Sequence, residues 1–233
     1  MTTHDLLFEI GCEELPASFV DGALKALVPL AEKSFAQLRL SHGQVRALGT
    51  PRRLALLVTE LSSQQPDLDE EVMGPPLKIA FKDGTPTRAA EAFANKVGCA
   101  LDALEQVDTP RGRYLKGIRH QQGRATAQLL PQLLAQLVTA IPFRKSMRWG
   151  AGELAFGRPL RWLFARYGSD ALEVTLPAVA TVQCSYGHRF LHPGEVMVPA
   201  VGDYVAALRK AHVLVDPVER ARVMQQRLQQ AAA

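Results

Sequence analysis

Cysteine is scarce in this sequence, with three residues in 233, Cys12, Cys99 and Cys184, none close to another. An odd number of scattered thiols does not make a disulfide framework, and no pair has the spacing of zinc ligands. Reduced thiols in a cytoplasmic protein are therefore expected. No apolar run approaches the ~20 residues needed to cross a bilayer. The opening Met1-Thr2-Thr3-His4-Asp5 has no positive region ahead of an apolar stretch, so no signal peptide is expected. A glycine-rich loop ending in Lys-Ser/Thr is missing, which argues against independent ATP binding. His188 and His192 stand four apart, but Pro193 follows and no further ligand is near, so no metal site is expected. Internal repeats are also lacking.

What is present is an ordinary globular composition, 47% hydrophobic and 21% charged, in a chain long enough to bury a substantial core. The net charge of +4 is modest, but it is unevenly placed. Between Arg144 and Arg166 stand Arg144, Lys145, Arg148, Arg158, Arg161 and Arg166 against Glu153 alone, a net +5 that leaves −1 for the remainder. Such a segment suits an anionic polymer such as RNA, or else a solvated face paired to carboxylates elsewhere.

The apolar run Leu6–Ile10 before Gly11 predicts a buried strand. Helical spacing then runs through Val20, Leu24, Leu27, Ala31, Phe35 and Leu38, with Pro16 at its start and a kink or break expected at Pro29. Residues 44–48 and 54–61 read as a strand pair joined irregularly through Gly49-Thr50-Pro51. From Ser62 to Thr87 exposed connections are expected, with one short strand near Val72. A helix follows to Val97, with Thr87 as a candidate N-cap. Residues 112–121 predict a strand, and 126–141 a helix with Pro131 in its first turn or kinking it. Residues 162–167 and 172–179 flank Gly168-Ser169-Asp170, a hairpin signal. A short helix near 203–210, a strand at 213–215 and an uncapped helix from Pro217 to Gln230 complete the pattern. The expected class is α+β, a mixed and largely antiparallel sheet or sheets with packed helices and a helical C-terminal end. Residues 1–200 are expected to form one α+β region or two subdomains, and 201–233 the truncated start of a following region.

Five strings carry a family resemblance: Glu9-Ile10-Gly11-Cys12-Glu13-Glu14-Leu15-Pro16, Thr50-Pro51-Arg52-Arg53-Leu54-Ala55, Lys145-Ser146-Met147-Arg148-Trp149-Gly150, Phe156-Gly157-Arg158-Pro159-Leu160-Arg161-Trp162, and Gly187-His188-Arg189-Phe190. In this order and spacing the chain resembles the N-terminal part of the β subunit of the bacterial tetrameric glycyl-tRNA synthetase. The family usually has Thr where Cys12 stands. The resemblance implies an α2β2, ATP-dependent ligase whose class II catalytic domain, with its ATP, Mg and glycine sites, lies on the α subunit. It implies that this chain binds no cofactor and carries no catalytic residue. The partners it implies are the α subunit, tRNA(Gly) and the remaining β-subunit domains, with no membrane. A purely structural module packed against the α subunit or later β domains is the alternative.

The candidate RNA-binding residues are Arg52, Arg53, Lys145, Arg148, Trp149, Arg158, Arg161, His188 and Arg189. Guanidinium groups grip phosphates bidentately, and aromatic side chains stack on bases. Strand alternation puts Arg52 and Arg53 on opposite faces; one of them could instead pair with a carboxylate. Trp149 could equally be core, and His188 could orient a loop. Glu13 and Glu14, just ahead of a helix, suit its positive end better than acid–base chemistry.

Overall fold

A computed structural model describes the chain except Met1, Asp83, Gly150, Ala151, Gly152, Ala178 and Ala233. Two compact units are present: Met1–Gln65 with Ala125–Ala233, and Pro66–Arg124 between them in sequence.

In the first unit β1 (Thr3–Cys12) is a central strand. It is followed by α1 (Ala17–Gln37), β2 (Val45–Thr50) and β3 (Arg53–Ser62). The helix passes through Pro29 without a break, because Val20, Ala23, Leu27, Ala31 and Phe35 keep one buried face in register on both sides of it. The link between β2 and β3 is a tight turn at Pro51-Arg52, later than the expected Gly49-Thr50-Pro51. Pro51 presets φ for that turn, and Thr50 Oγ1 accepts the Arg52 N–H at 3.2 Å.

The second unit comprises β4 (Leu68–Pro76), α2 (Leu77–Ala80), β5 (Phe81–Lys82), β6 (Thr85–Pro86), α3 (Arg88–Val97), β7 (Glu105–Thr109) and β8 (Gly112–Gln121). Its three-stranded sheet runs β4-β8-β7. Where connections and one short strand were expected, β4 has nine residues. Polar pairs line its pairing with β8: Asp69 meets His120, Glu70 meets Arg119, and Glu71 Oε1 lies 2.6 Å from Lys116 Nζ. Acidic residues do not give the apolar alternation by which a strand is read from sequence. Thr87 precedes α3, but its hydroxyl donates backwards to the Ile79 and Ala80 carbonyls at 2.7 and 3.1 Å and does not cap the helix.

The chain re-enters the first unit beside the point where it left, through a bridge between Gln64 and Ala125. There α4 (Thr126–Ala140) begins, its Thr126 hydroxyl donating to Ser62 O at 2.6 Å. Pro131 lies inside this helix without ending it. Then come β9 (Met147–Arg148), β10 (Ala155–Phe156), β11 (Leu160–Tyr167), β12 (Asp170–Ala171), β13 (Thr181–Val182), β14 (Ser185–Tyr186), β15 (Glu195–Val196), α5 (Tyr204–Lys210) and α6 (Pro217–Ala232). The expected hairpin is cut short: β12 has two residues, and the chain returns as β13, parallel to β11. Leu172, Val174 and Leu176 are drawn into the core instead, and Thr181 Oγ1 bonds both backbone groups of Val174 at 3.0 and 2.8 Å. Residues 213–215 form no strand, although the Gly49 N–H donates to Val215 O at 2.9 Å.

The main sheet runs β12-β11-β1-β3-β2, with β13 added on β11. It is covered on both faces, which is why β1 reads as a continuous apolar run. Leu6, Phe8 and Ile10 face α1 and α4, together with Leu54, Leu56, Leu163 and Ala165. Leu7, Ala55, Trp162 and Phe164 face the other way, against Val201, Tyr204 and Leu208. By alternation Glu9 and Gly11 belong to this second face.

Candidate anion-binding site

The second face holds a buried ion pair. Glu9 and Arg53 expose 0% and 2% of their surface, and Arg53 Nη1 lies 3.5 Å from Glu9 Oε2. Register explains the meeting: Gly11 stands opposite both Arg53 on β3 and Trp162 on β11. With no side chain at Gly11, the indole can lie over the strand; a Cβ there would come within 2.0 Å of Trp162 Cδ2. The Trp162 indole N–H donates to Glu9 Oε1 at 2.6 Å, and Tyr204 donates its hydroxyl to Glu9 Oε2. The Ser185 hydroxyl accepts from Arg53 Nη1 at 2.9 Å and lies 2.8 Å from both Glu9 oxygens. The Arg53 guanidinium also stacks at 5.6 Å over the Trp162 ring. Four separate stretches of chain thus converge on one carboxylate, and the polar groups buried here find partners, as burial demands, except Arg53 Nε, which is buried without one. Burial, then the Glu9 carboxylate, pushes the Tyr204 phenol well above its ordinary range.

Above this network lies a cleft of about 330 Å³ lined by Arg52, Arg161, Trp162, Tyr186 and Arg189. Arg52 sits in the β2–β3 turn, Arg161 on β11 and Arg189 in the segment after β14. Facing them is the segment after β1, tied down by backbone bonds from Cys12 N to Arg52 O at 2.9 Å, Glu13 N to Pro159 O at 2.9 Å and Leu15 N to Pro51 O at 2.7 Å. Glu14 Oε1 lies 2.8 Å from Arg189 Nη1 and 3.6 Å from Arg52 Nε, and Glu13 Oε1 lies 3.4 Å from Arg161 Nε. The Glu14 backbone N–H, then Arg189 and Arg52, hold the Glu14 carboxyl below its ordinary value, so it is ionised at neutral pH. Cys12 is buried there, and burial pushes its thiol up to about 12, which makes it inert as a nucleophile.

Of the nine residues named from sequence, Arg52, Arg161 and Arg189 are brought together in the cleft. Arg53 is not presented to an external phosphate; the alternative of pairing with a carboxylate is realised, with Glu9. Lys145, Arg148 and Arg158 are exposed and outside the cleft. Trp149 is half-buried, its indole N–H donating to Phe156 O at 3.0 Å across the β9–β10 ribbon; Gly150, beside it, lies outside the described residues. His188 serves its own loop: Nδ1 accepts the Phe190 and Leu191 N–H groups, both at 3.2 Å, which places the ring proton on Nε2. Sequence reasoning missed Glu9, Ser185 and Tyr204. A carboxylate in the middle of an apolar strand was the available signal for the first; nothing local marks the other two. Among the described residues no three His, Cys, Asp or Glu side chains cluster as metal ligands, and no helix is long and apolar enough to cross a membrane.

Guanidinium groups from three segments thus converge on one cleft, with Glu13 and Glu14 as their carboxylate partners. The family model described as glycyl-tRNA synthetase beta subunit matches residues 6–233. The chain is 42% identical to the glycine–tRNA ligase beta subunit of Moorella thermoacetica, over 95% of this chain and 32% of that protein. It is 45% identical to that of Anaeromyxobacter dehalogenans strain 2CP-C over 93% of this chain and 31% of the relative, and 42% identical to that of Myxococcus xanthus over 99% and 33%. The chain belongs to the glycyl-tRNA synthetase beta subunit family, and it spans about a third of the length of the curated relatives it matches.

Proposed function

We propose that this chain is the N-terminal, non-catalytic part of a glycine–tRNA ligase β subunit, contributing tRNA(Gly) binding and αβ assembly to the ATP-dependent glycylation of tRNA in the cytoplasm. In this reading ATP and Mg serve the whole enzyme on the α subunit, and this region binds neither. The observation that carries tRNA contact is the meeting of Arg52, Arg161 and Arg189 in one cleft. Three guanidinium groups against two carboxylates leave an excess cation for a phosphate, and the exposed Lys145, Arg148 and Arg158 extend the basic surface. Assembly is favoured by a different observation. Phe190 and Leu191 are 79% and 65% exposed in the loop that carries Arg189, and large apolar groups displayed together mark a protein contact.

The test is the affinity of the chain for a tRNA(Gly) transcript across a salt series, with binding to the α subunit measured in parallel. Neutralising two or three phosphates gives a log–log salt slope of about −2 to −3. Arg52→Glu, Arg148→Glu and Arg161→Glu are expected to weaken tRNA binding and flatten the slope. Absent or salt-insensitive tRNA binding, with α-subunit binding intact, would overturn the RNA role in favour of assembly alone.

A further inference from the structure

We infer that Glu14 occupies a phosphate seat inside the arginine cleft, so that a nucleic-acid phosphate enters by displacing the Glu14 carboxylate from Arg189 and Arg52. This rests on the tRNA reading above and adds to it a built-in competitor. Glu14 Oε1 lies between two guanidinium groups from different segments, 2.8 Å from Arg189 Nη1 and 3.6 Å from Arg52 Nε, as one oxygen of a phosphate would. The second contact is too long for a hydrogen bond, and Arg52 Nε is buried with no hydrogen-bond partner. A carboxylate has two oxygens in one plane; a phosphate offers more, in a tetrahedral array, and can reach Arg52 Nε while keeping Arg189. Glu14 can yield the seat, because its side chain is 51% exposed, whereas its backbone stays fixed through the Leu15 N–H to Pro51 O bond of 2.7 Å. The arginines are prearranged. Arg161 is oriented by Glu13 at 3.4 Å, and the β2–β3 turn that carries Arg52 is held by its N–H bond to Thr50 Oγ1 at 3.2 Å. The resident carboxylate keeps the cluster from repelling itself when empty, and it sets a threshold against weakly charged anions.

The opposite role for Glu14 would be to organise the arginines for the ligand, and the two roles predict opposite signs. Exposed ion pairs of this kind are weak, so freeing the seat should tighten binding by about 1.4- to fivefold. The experiment compares the full chain with Glu14→Gln, using Glu173→Gln as a control of equal net charge outside the cleft. Each is titrated with a tRNA(Gly) transcript and, separately, with inorganic phosphate followed by intrinsic tryptophan fluorescence, to which Trp162 in the cleft contributes. Tighter binding of both ligands by Glu14→Gln alone is the expected result. Tighter phosphate binding with unchanged tRNA affinity would overturn the inference that a nucleic-acid phosphate takes this seat, and would leave the tRNA reading to the salt series and Arg161→Glu. Unchanged or weaker phosphate binding relative to Glu173→Gln would overturn the inference, while tRNA affinity lost in Arg161→Glu would leave the tRNA reading standing. A gain for polyglutamate without a gain for phosphate would assign the cleft to an acidic protein segment and overturn the inference as well.

Discussion

Glu9→Gln tests the interior of the first unit most directly. The substitution keeps the shape of the side chain and removes its charge, so the buried Arg53 guanidinium, 2% exposed, loses its counterion. Breaking one side of a buried pair costs about 3–5 kcal/mol. The geometry explains why an amide cannot serve. One glutamate oxygen accepts from Trp162 and Ser185, and the other from Tyr204, Ser185 and Arg53. An amide must turn its NH2 toward one of these sets. The Trp162 N–H cannot become an acceptor, and neither can Arg53. Either orientation therefore leaves two donors facing each other. Urea unfolding followed by tryptophan fluorescence reads the right unit, because both tryptophans, Trp149 and Trp162, lie in the first one. With a slope of about 2 kcal/mol per molar urea, the expected loss lowers the midpoint by about 1.5–2.5 M. The double variant Glu9→Gln with Arg53→Leu removes both charges and should recover part of the loss, because with the guanidinium gone the amide oxygen can accept from Trp162 while its NH2 donates to the Tyr204 and Ser185 hydroxyls. A Glu9→Gln loss below about 1 kcal/mol, or a double variant worse than the single one, would refute the claim that the charges stabilise each other.

Gly11→Ala should destabilise the same unit by about 3 kcal/mol, the upper end of overpacking costs. Its Cβ would meet three Trp162 ring atoms at 2.0–2.4 Å, and that ring is pinned by Glu9, Tyr186 and Arg53; thermal melting followed by circular dichroism checks it. Alkaline titration should expose the buried thiol. The Cys12 pKa is raised from 9.0 to about 12 on folding, so its contribution is complete below pH 9 and is lost as pH rises toward 12, by up to about 4 kcal/mol. Tyr204, also raised, adds to the loss above pH 10. Cys12→Thr should flatten the fall between pH 9 and 10, measured by urea midpoints across that range; an unchanged fall would contradict the assignment to Cys12.

Periodicity was enough for β1, α1, β8, α4, β11 and α6, because each presents its own apolar or helical spacing. The strand β4 escaped, since Asp69, Glu70 and Glu71 find their partners, His120, Arg119 and Lys116, on a strand more than forty residues away. The long return strand expected over 172–179 was an over-reading of alternation. Leu172, Val174 and Leu176 do alternate inward, but they pack into the core without a neighbouring ladder. At the site, residue type pointed to Arg52, Arg161 and Arg189, but the same logic put Arg53 among them and left Glu9 out.

The sequence by itself determined the family, the α+β class and the basic character of the chain, because these rest on local spacing and on strings of residues. Four of the five recognisable strings turn out to supply one place. Glu9, Gly11 and Glu14, Arg52 and Arg53, Arg161 and Trp162, and Arg189 build the buried pair and the cleft above it. Only the tertiary structure decided which arginine is a buried counterion and which stand at the cleft. Arg52 and Arg53 are chemically identical neighbours. Register across β1, β3 and β11 turns one inward, opposite Gly11 and toward Glu9, and leaves the other in the turn at the cleft. That choice depends on strand pairing between distant segments, which adjacent residues do not encode.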